Sequence, residues 1–218
     1  MSAFRIERDG DVAVVVFDLP GEPVNKFSTT VIGEFDSVLD ALEGDAGVRG
    51  VVLISGKPDG FIAGADIEEF LDIRSGADAL AMVKRGWDPF YKLERLPFPT
   101  VALIEGFCMG GGLELALACR YRVAVDDPRT RMALPEVMLG IWPLMGGVMR
   151  LPRIVAPPEA LDMMLTGRSV DARRARRMGL VDVAVPVRVA ENAARMTALD
   201  PPPRRRLPFP ASLMASGL

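Results

Sequence analysis

The chain of 218 residues contains no histidine. This absence excludes the Ser-His-Asp and Cys-His nucleophilic devices, and it removes the commonest zinc ligand. We therefore predict no metal site. If the protein is a catalyst, its chemistry has to come mainly from carboxylates and from the dipoles of the backbone.

Cysteines and long apolar runs are also scarce. Cys108 and Cys119 both lie in apolar surroundings, which is typical of buried thiols rather than of a disulfide. No apolar run approaches the roughly 18 residues of a membrane span, and segment 1–5 lacks the pattern of a signal peptide. We expect a cytoplasmic protein with no membrane partner.

The sequence has no excess of basic charge, because 26 Lys and Arg stand against 29 Asp and Glu and give a formal net charge of −3. This balance argues against a general binder of nucleic acids. Two basic clusters, at 173–177 and 204–206, are the only features that favour a non-catalytic, RNA-binding role. Such clusters are usually solvated helix faces or linker charge, so nucleic-acid binding is the alternative that we do not expect.

The apolar residues predict strands that alternate with helices along the chain. Asp9-Gly10 between two apolar runs indicates a β-hairpin, and the apolar run 51–54 is typical of a buried strand. Apolar residues recur at helical spacing over 79–96, where we place five residues on the core face: Leu80, Val83, Trp87, Phe90 and Tyr91. This alternation predicts an α/β fold.

The composition changes near residue 200. The preceding residues carry all of the periodic segments, whereas Pro201-Pro202-Pro203-Arg204-Arg205-Arg206 is typical of an extended linker. We therefore predict one domain over residues 1–199 and a Pro/Arg-rich linker or tail over residues 200–218.

A glycine-rich stretch, Gly110-Gly111-Gly112-Leu113-Glu114, follows the apolar run 100–104. A buried strand that leads through glycines into a helix presents unpaired backbone N–H groups, which suit negative charge. A helical side chain leans toward its own N-terminus, so Glu114 should overhang Gly111. A structural explanation also fits, because the helix dipole favours a glutamate in the first turn and glycines allow close packing.

Two further segments point to the same kind of site. Leu134-Pro135-Glu136 holds a second carboxylate in an apolar segment, and residues 61–67 form another strand-to-helix turn with backbone N–H groups to offer. Asp66, with Glu69 three residues later, is typical of a capping box, which favours a structural role for Asp66. The chemically relevant group of that turn is then the backbone of Ala65.

Taken in order, these segments resemble the crotonase (enoyl-CoA hydratase/isomerase) superfamily, and most of all the N-terminal hydratase region of multifunctional fatty-acid oxidation complex alpha subunits. The matching motifs are Pro23-Val24-Asn25, Phe61-Ile62-Ala63-Gly64-Ala65-Asp66-Ile67, Gly110-Gly111-Gly112-Leu113-Glu114, Leu134-Pro135-Glu136-Val137-Met138-Leu139-Gly140, Arg150-Leu151-Pro152-Arg153, Leu165-Thr166-Gly167-Arg168 and Gly179-Leu180-Val181-Asp182. Several motifs in one order are far more specific than any one of them. The resemblance implies an α/β spiral of repeated β-β-α units with C-terminal helices.

The resemblance also implies a reaction, the addition of water across the 2,3 double bond of a 2-enoyl-CoA thioester in fatty-acid β-oxidation. The backbone N–H groups of Ala65 and Gly111 would hold the thioester oxygen. Glu114 would activate the water, and Glu136 would give a proton to the α-carbon. The other residues implied to contact the substrate are Ala63, Asp66, Ile67 and Gly110. No cofactor is implied, since coenzyme A is part of the substrate.

Related chemistries stay open. The same two carboxylates could move a proton between C2 and C4 and so isomerise a 3-enoyl-CoA to a 2-enoyl-CoA. The presence of both glutamates favours hydration, because isomerases of the superfamily often keep only one. Thioester hydrolysis and C–C bond cleavage are further reactions of the same fold. Leu144-Met145 and Ala156-Pro157 depart from the usual pattern near the acyl tunnel, so the acyl length is left open.

The resemblance finally implies partners beyond the acyl-CoA thioester. One possibility is a homo-oligomer, a trimer or hexamer, in which further C-terminal helices cover the acyl site. The other is a full-length multifunctional chain with a dehydrogenase region and a thiolase subunit. No Gly-x-Gly-x-x-Gly fingerprint occurs in the 218 residues, so we hypothesise that the chain is an N-terminal piece of such a protein. Cationic contacts for coenzyme A phosphates could come from the cluster 173–177 or from Lys26, Lys57, Lys84 and Lys92.

Overall fold

The protein, for which we use a computed structural model, is described over residues 2–204. The strands in this part of the chain are β1 (Phe4–Asp9), β2 (Val12–Phe17), β3 (Gly50–Ser55), β4 (Gly60–Ile62), β5 (Thr100–Ile104), β6 (Phe107–Met109), β7 (Tyr121–Val125), β8 (Arg131–Ala133), β9 (Val170–Asp171) and β10 (Val183–Val185). The α-helices are α1 (Thr29–Glu43), α2 (Gly76–Arg95), α3 (Gly111–Ala118), α4 (Gly147–Ile154), α5 (Pro157–Thr166), α6 (Ala172–Met178) and α7 (Ala190–Leu199). Short 3-10 helices cover Ile67–Asp72, Pro135–Leu139 and Val187–Val189.

The strands form two sheets. The larger sheet has the order β1-β2-β3-β5-β7-β10, in which β1 pairs antiparallel with β2 and the other neighbours pair parallel. The smaller sheet has the order β4-β6-β8-β9, and β9 is its antiparallel edge. The predicted hairpin is confirmed, since Asp9 pairs with Val12 across the turn.

The chain winds as a spiral between the two sheets. Each turn places one strand in the larger sheet and one in the smaller sheet before a helix returns, as in β3-β4-α2 and β5-β6-α3. The first turn is a reduced version, in which an isolated parallel bridge from Phe27 to Ala65 replaces the small-sheet strand. The predicted α/β spiral of repeated β-β-α units is therefore confirmed.

The main core takes residues from both sheets and from helices α1 to α6. All eight residues of α3 are buried, so this helix has no solvent-facing side and places Glu114 inside the protein. A second apolar cluster lies on the outer face of the larger sheet, where Ala190, Ala194 and Ala198 of α7 pack. Within residues 2–204, no helix has both the length and the apolar character needed to cross a bilayer.

Helix α2 corrects one prediction. The apolar pattern places Leu80 and Tyr91 on its core face, but they are 56% and 46% exposed, whereas Phe90 is buried as predicted. The buried face of α2 is narrower than the apolar pattern predicts and includes Phe90 and Leu93. Tyr91 lies outside this face, under the guanidinium of Arg95 at 5.2 Å from the ring centroid.

The capping box is only half confirmed. Asp66 caps the 3-10 helix Ile67–Asp72 by accepting from the N–H of Glu68 at 3.2 Å. The Glu69 carboxylate does not return to Asp66 but accepts from the N–H and hydroxyl of Thr29, at the start of α1. The reason is that the first N–H groups of α1 have no partner within their own helix.

The two cysteines are free and buried, as predicted. Burial raises the pKa of the Cys119 thiol to about 12, and it raises that of Cys108 as well. Both thiols are therefore protonated and chemically inert at neutral pH. From residue 205 onward the predicted tail lies outside the described residues, and the domain boundary near residue 199 stays a prediction.

The spiral depends on close contact between α3 and β4 at Gly112. A methyl group at this position would lie 2.5 Å from the carbonyl oxygen of Ile62. We expect Gly112→Ala to lower the free energy of unfolding by about 2 kcal/mol, because a backbone oxygen cannot move aside cheaply. Gly33→Ala in α1 is the control, since no atom lies within 4 Å of its added methyl group. Urea unfolding should show Gly33→Ala unchanged or stabilised by about 0.5 kcal/mol. Equal stability of the two variants would contradict this packing account.

Candidate active site

The candidate site lies where three parallel strands of the smaller sheet end. Strands β4, β6 and β8 are neighbours in that sheet, so their carboxyl ends meet at one edge. Ala65 follows β4, Gly111 follows β6 and Glu136 follows β8, each within three residues of the strand end. The spiral therefore brings the three predicted segments together, at the edge where α/β proteins commonly bind ligands.

The turn between β6 and α3 requires glycine. Gly110 has a φ of 52° and a ψ of −124°, a conformation that residues with a side chain rarely adopt. Its N–H donates to the carbonyl oxygen of Ala133 at 3.0 Å, which ties the turn to β8. A methyl group on Gly110 would also lie 3.2 Å from Glu136 Oε1. The bare backbone thus lets Glu136 approach the glycine turn.

Beside this turn lie two backbone N–H groups that no acceptor in the described part of the chain satisfies. Gly111 is the first residue of α3, so its N–H has no acceptor in the preceding turn of the helix. In the bridge between Phe27 and Ala65, the N–H of Phe27 donates to the oxygen of Gly64, and the N–H of Asp66 donates to the oxygen of Phe27. The N–H of Ala65 takes no part in this bridge. Neither N–H has an acceptor within residues 2–204. A methyl group on Gly111 would lie 3.5 Å from the Ala65 nitrogen, so the two groups are adjacent.

Glu114 is held by a backbone loop. Its side chain is only 2% exposed, and its Oε1 accepts from the N–H of Met145 and the N–H of Gly147, both at 2.8 Å. A methyl group on Gly147 would lie 3.0 Å from the same oxygen, so glycine is the residue that fits. These two donors orient the carboxylate in the first turn of α3.

Glu136 is buried, and its carboxylate has no hydrogen-bond donor among residues 2–204. It lies in the 3-10 helix that Pro135 begins and Gly140 ends in a left-handed conformation. The residue is 9% exposed, and both of its carboxylate oxygens are buried with no hydrogen-bond partner in the described part of the chain. A buried polar group without a partner is costly, which favours a functional role over a structural one.

Glu114 and Glu136 line one cavity of about 110 Å³. Its wall consists otherwise of backbone and apolar side chains. The lining residues are Ala63, Gly64, Ala65, Ile67, Phe70, Met82, Gly110, Gly111, Glu114, Pro135, Glu136, Leu139, Ile141, Trp142, Leu144 and Met145. Two carboxyl groups and two adjacent amide donors in an apolar cavity can bind a carbonyl oxygen and move protons next to it.

Burial raises the pKa of both carboxyl groups, that of Glu114 to about 8 and that of Glu136 to about 7. Loss of hydration is the largest cause for each. At Glu114 the charge of Glu136 raises the pKa further, while the N–H groups of Gly147 and Met145 and the charge of Arg150 lower it. The two groups therefore titrate near neutral pH, where one can be ionised while the other keeps a proton.

Seven of the eight residues singled out from the sequence line this cavity: Ala63, Ala65, Ile67, Gly110, Gly111, Glu114 and Glu136. The eighth, Asp66, lines a separate small cavity of about 30 Å³ next to it. Its carboxylate also lies 3.1 Å from Lys26 Nζ, so its visible roles are a helix cap and an ion pair.

Sequence reasoning missed the loop that holds Glu114. Met145, Gly147 and Arg150 act on the carboxylate from 31 to 36 positions away in the sequence. The sequence signal for a close backbone approach in this loop is Gly146-Gly147 at the start of a helix, since paired glycines often mark such a contact. That signal does not say which side chain the backbone approaches.

The cationic candidates for a phosphate contact differ in their partners. Lys26, Lys57 and Lys92 each form ion pairs with neighbouring carboxylates. Arg173 of the basic cluster 173–177 is also paired. Lys84 of α2 has no ion pair within residues 2–204, so its charge is the least compensated among the lysines.

Known sequences match this chain over most of its length. A family model described as Enoyl-CoA hydratase/isomerase matches residues 7–200. The fatty acid oxidation complex subunit alpha of Shewanella loihica (strain ATCC BAA-1088 / PV-4) is 46% identical over 198 residues, which are 90% of this chain and 28% of that protein. The same-named protein of Shewanella halifaxensis (strain HAW-EB4) is 45% identical over 192 residues, 88% of this chain and 27% of that protein. The chain thus spans less than a third of the length of these curated relatives.

Solved structures share the fold. An enoyl-CoA hydratase from Bacillus anthracis superposes with a TM-score of 0.83 at 30% identity, covering 90% of this chain and 75% of that one. DspI of Pseudomonas aeruginosa gives a TM-score of 0.85 at 31% identity, covering 98% of this chain and 85% of that one. The similarity therefore extends over nearly all of the described residues.

The raised pKa of Glu136 predicts how stability depends on pH. Because its pKa is about 7 in the folded protein and 4.5 in the unfolded chain, the folded state binds more protons between these values. Stability contributed by the neutral form is therefore lost as the pH rises from about 5 to 8. We expect Glu136→Gln, which is neutral at every pH, to gain on the order of 2 kcal/mol relative to wild type over this interval.

Urea unfolding at pH 5, 6, 7 and 8 measures this difference. The exposed Glu43→Gln serves as the control, and its pH dependence should run parallel to that of the wild type. Parallel curves for Glu136→Gln and wild type would show that Glu136 is not a buried acid with a raised pKa.

Proposed function

This chain belongs to the enoyl-CoA hydratase/isomerase family, and we propose that it adds water across the 2,3 double bond of 2-enoyl-CoA thioesters. One observation carries the proposal. Two buried carboxyl groups, Glu114 and Glu136, line the same apolar cavity as the adjacent N–H groups of Ala65 and Gly111, which have no acceptor in the part of the chain that the structure describes.

The amide pair suits the charge that hydration creates. Attack of water at C3 of an enoyl thioester moves negative charge onto the thioester oxygen. The start of α3 fixes the N–H of Gly111, and the bridge to Phe27 fixes that of Ala65, so neither group needs to reorganise to bind this oxygen. A preorganised donor of this kind is typically worth about 3 kcal/mol in the barrier.

The two carboxyl groups suit the two proton transfers. We assign Glu114 as the base that takes a proton from water and Glu136 as the acid that gives a proton to C2. The two N–H donors on Glu114 favour its carboxylate form, whereas Glu136 has no donor within the described residues and favours its acid form. The deeper burial of Glu114 works against this assignment, because it puts the pKa of Glu114 above that of Glu136. Because the two groups titrate as a pair, the hydrogen-bond geometry decides the assignment.

Isomerisation of 3-enoyl-CoA to 2-enoyl-CoA is the second candidate function. It needs a single carboxyl group that moves a proton between C2 and C4, and Glu136, whose oxygens have no partner in residues 2–204, could do this. Hydration is favoured because Glu114 is also held in the cavity by two donors, an arrangement that isomerisation does not require.

The wider setting of the protein is part of the proposal. Its relatives are named as fatty acid oxidation complex subunits, which supports fatty-acid β-oxidation as the context and assembly with partner subunits. We propose a cytoplasmic homo-oligomer, or a hydratase region that works with a dehydrogenase region and a thiolase subunit. Because Arg173 is paired with Asp126, the cluster 173–177 gives little support to the alternative of RNA binding.

Substitution of each glutamate tests the proposed function. We expect Glu114→Gln and Glu136→Gln each to lower turnover of crotonyl-CoA by at least ~100-fold, because each removes one of the two proton-transfer groups. The measurement is the loss of absorbance of the enoyl thioester. Circular dichroism should show that both variants keep the wild-type fold.

Glu43→Gln, at the exposed end of α1, is the matched control and should turn over at the wild-type rate. If either cavity variant keeps near-normal turnover, the assignment of two catalytic glutamates is wrong. If only Glu136→Gln loses 3-enoyl-CoA isomerisation and the wild type does not hydrate, the second candidate function replaces the first.

A further inference from the structure

Arg150 lies behind the loop that holds Glu114. It is a residue of α4, it is only 6% exposed, and its guanidinium makes three directed contacts. Its Nη1 donates to the carbonyl oxygen of Met145 at 2.8 Å. Its Nε and Nη2 both donate to Glu94 Oε2 of α2, at 3.1 Å and 3.0 Å. The guanidinium thus joins α2 to the loop that precedes α4.

Met145 connects this guanidinium to Glu114. The N–H of Met145 donates to Glu114 Oε1, while its carbonyl oxygen accepts from Arg150. The second donor to Glu114 is the N–H of Gly147, two residues further on. One peptide segment therefore has the carboxylate on one side and the guanidinium on the other.

Gly146, between the two donors, is adapted to the guanidinium. Its φ of 101° lies in the region that favours glycine. A methyl group there would lie 2.1 Å from Arg150 Nη1, so any side chain would displace the guanidinium. The loop is thus built around Arg150 as well as around Glu114.

We propose that Arg150 is a positioning residue for Glu114, which through the Met145 carbonyl keeps the Met145 and Gly147 N–H groups aimed at the carboxylate. The inference rests on the proposed function for its effect on the reaction rate, while the effect on Glu114 itself does not depend on that function. Arg150 has no part in the cavity wall and does not touch the substrate space.

The charges around Glu114 give the inference a direction. Glu136 lines the same cavity as Glu114 and its charge raises the pKa of Glu114, whereas the charge of Arg150 of α4 lowers it. Glu94 of α2 accepts a hydrogen bond from Arg150. The charge of Arg150 also lowers the pKa of the buried Cys119 at the end of α3, although burial raises that pKa by more. Loss of Arg150 would remove positive charge and loosen both N–H donors, and both changes favour the protonated form of Glu114.

The test compares three variants of the buried Arg150 and its exposed partner Glu94. Arg150→Met removes the charge and the donors, Arg150→Lys keeps a charge without the planar fork, and Glu94→Gln leaves Arg150 in place but weakens its anchor. Arg153→Met is the matched control, since Arg153 is an exposed residue of the same helix and has no ion pair within residues 2–204.

Two readouts are measured for each variant. The first is steady-state hydration of crotonyl-CoA. The second is the titration of Glu114 by NMR of protein labelled with carbon-13 at the glutamate carboxyl carbon, with the Glu114→Gln spectrum identifying the signal. The second readout does not need an active enzyme, so it separates this inference from the proposed function.

We expect Arg150→Met to lower kcat by roughly 30-fold or more with KM changed by less than about 3-fold, and to move the Glu114 midpoint upward. Arg150→Lys should bring the titration midpoint of Glu114 most of the way back to its wild-type value but should leave kcat low. The reason is that one ammonium cannot bind the Met145 oxygen and Glu94 together. Glu94→Gln should lower kcat by roughly 3- to 10-fold. Arg153→Met should match the wild type.

If the wild type hydrates crotonyl-CoA but Arg150→Met keeps both kcat and the Glu114 midpoint, the inference is overturned. If the wild type does not hydrate crotonyl-CoA but the midpoint still moves, the positioning role stands and the proposed function fails. If Arg150→Met does not fold, the Arg150→Lys and Glu94→Gln variants provide the test. The inference is refuted if both of these variants fold and keep the wild-type kcat and the wild-type titration midpoint of Glu114.

Discussion

The burial of two carboxyl groups in one apolar cavity is the constraint on which the rest of the site depends. Each group would be better solvated in water, and their charges repel when both are ionised. The protein stabilises one of them, Glu114, with two backbone donors and leaves the other, Glu136, with none in the described part of the chain. The result is a pair in which Glu114 can be ionised and accept a proton while Glu136 keeps a proton that it can give up.

The spiral makes this arrangement possible because successive turns end at the same place. Strands β4, β6 and β8 lie side by side, and each is followed by a turn that contributes one part of the site. The close approach of these turns needs glycine at Gly110, where a side chain would be strained and would press on Glu136. The fold therefore determines the chemistry of the site mainly through the positions of backbone groups, and less through side-chain contacts.

The parts of the site that sequence reasoning could reach are those encoded locally. Glu114 lies in the strand-turn-helix segment that places it, and Glu136 follows its own strand within three residues. The spiral itself came from the resemblance, since periodicity gives elements but not their order in space. Contacts between distant segments were out of reach. Arg150 meets Glu94 from 56 positions away, and Glu69 serves the start of α1 from 40 positions away. Nothing in the local pattern distinguishes such a side chain from an exposed one.

Analysis of the product formed from crotonyl-CoA in D2O is the most direct test of the central claim. If two carboxyl groups add water while two amides hold the thioester oxygen, NMR should show 3-hydroxybutyryl-CoA with one deuterium at C2 and the new oxygen at C3. Release of free coenzyme A, or full recovery of unlabelled crotonyl-CoA, would contradict the account.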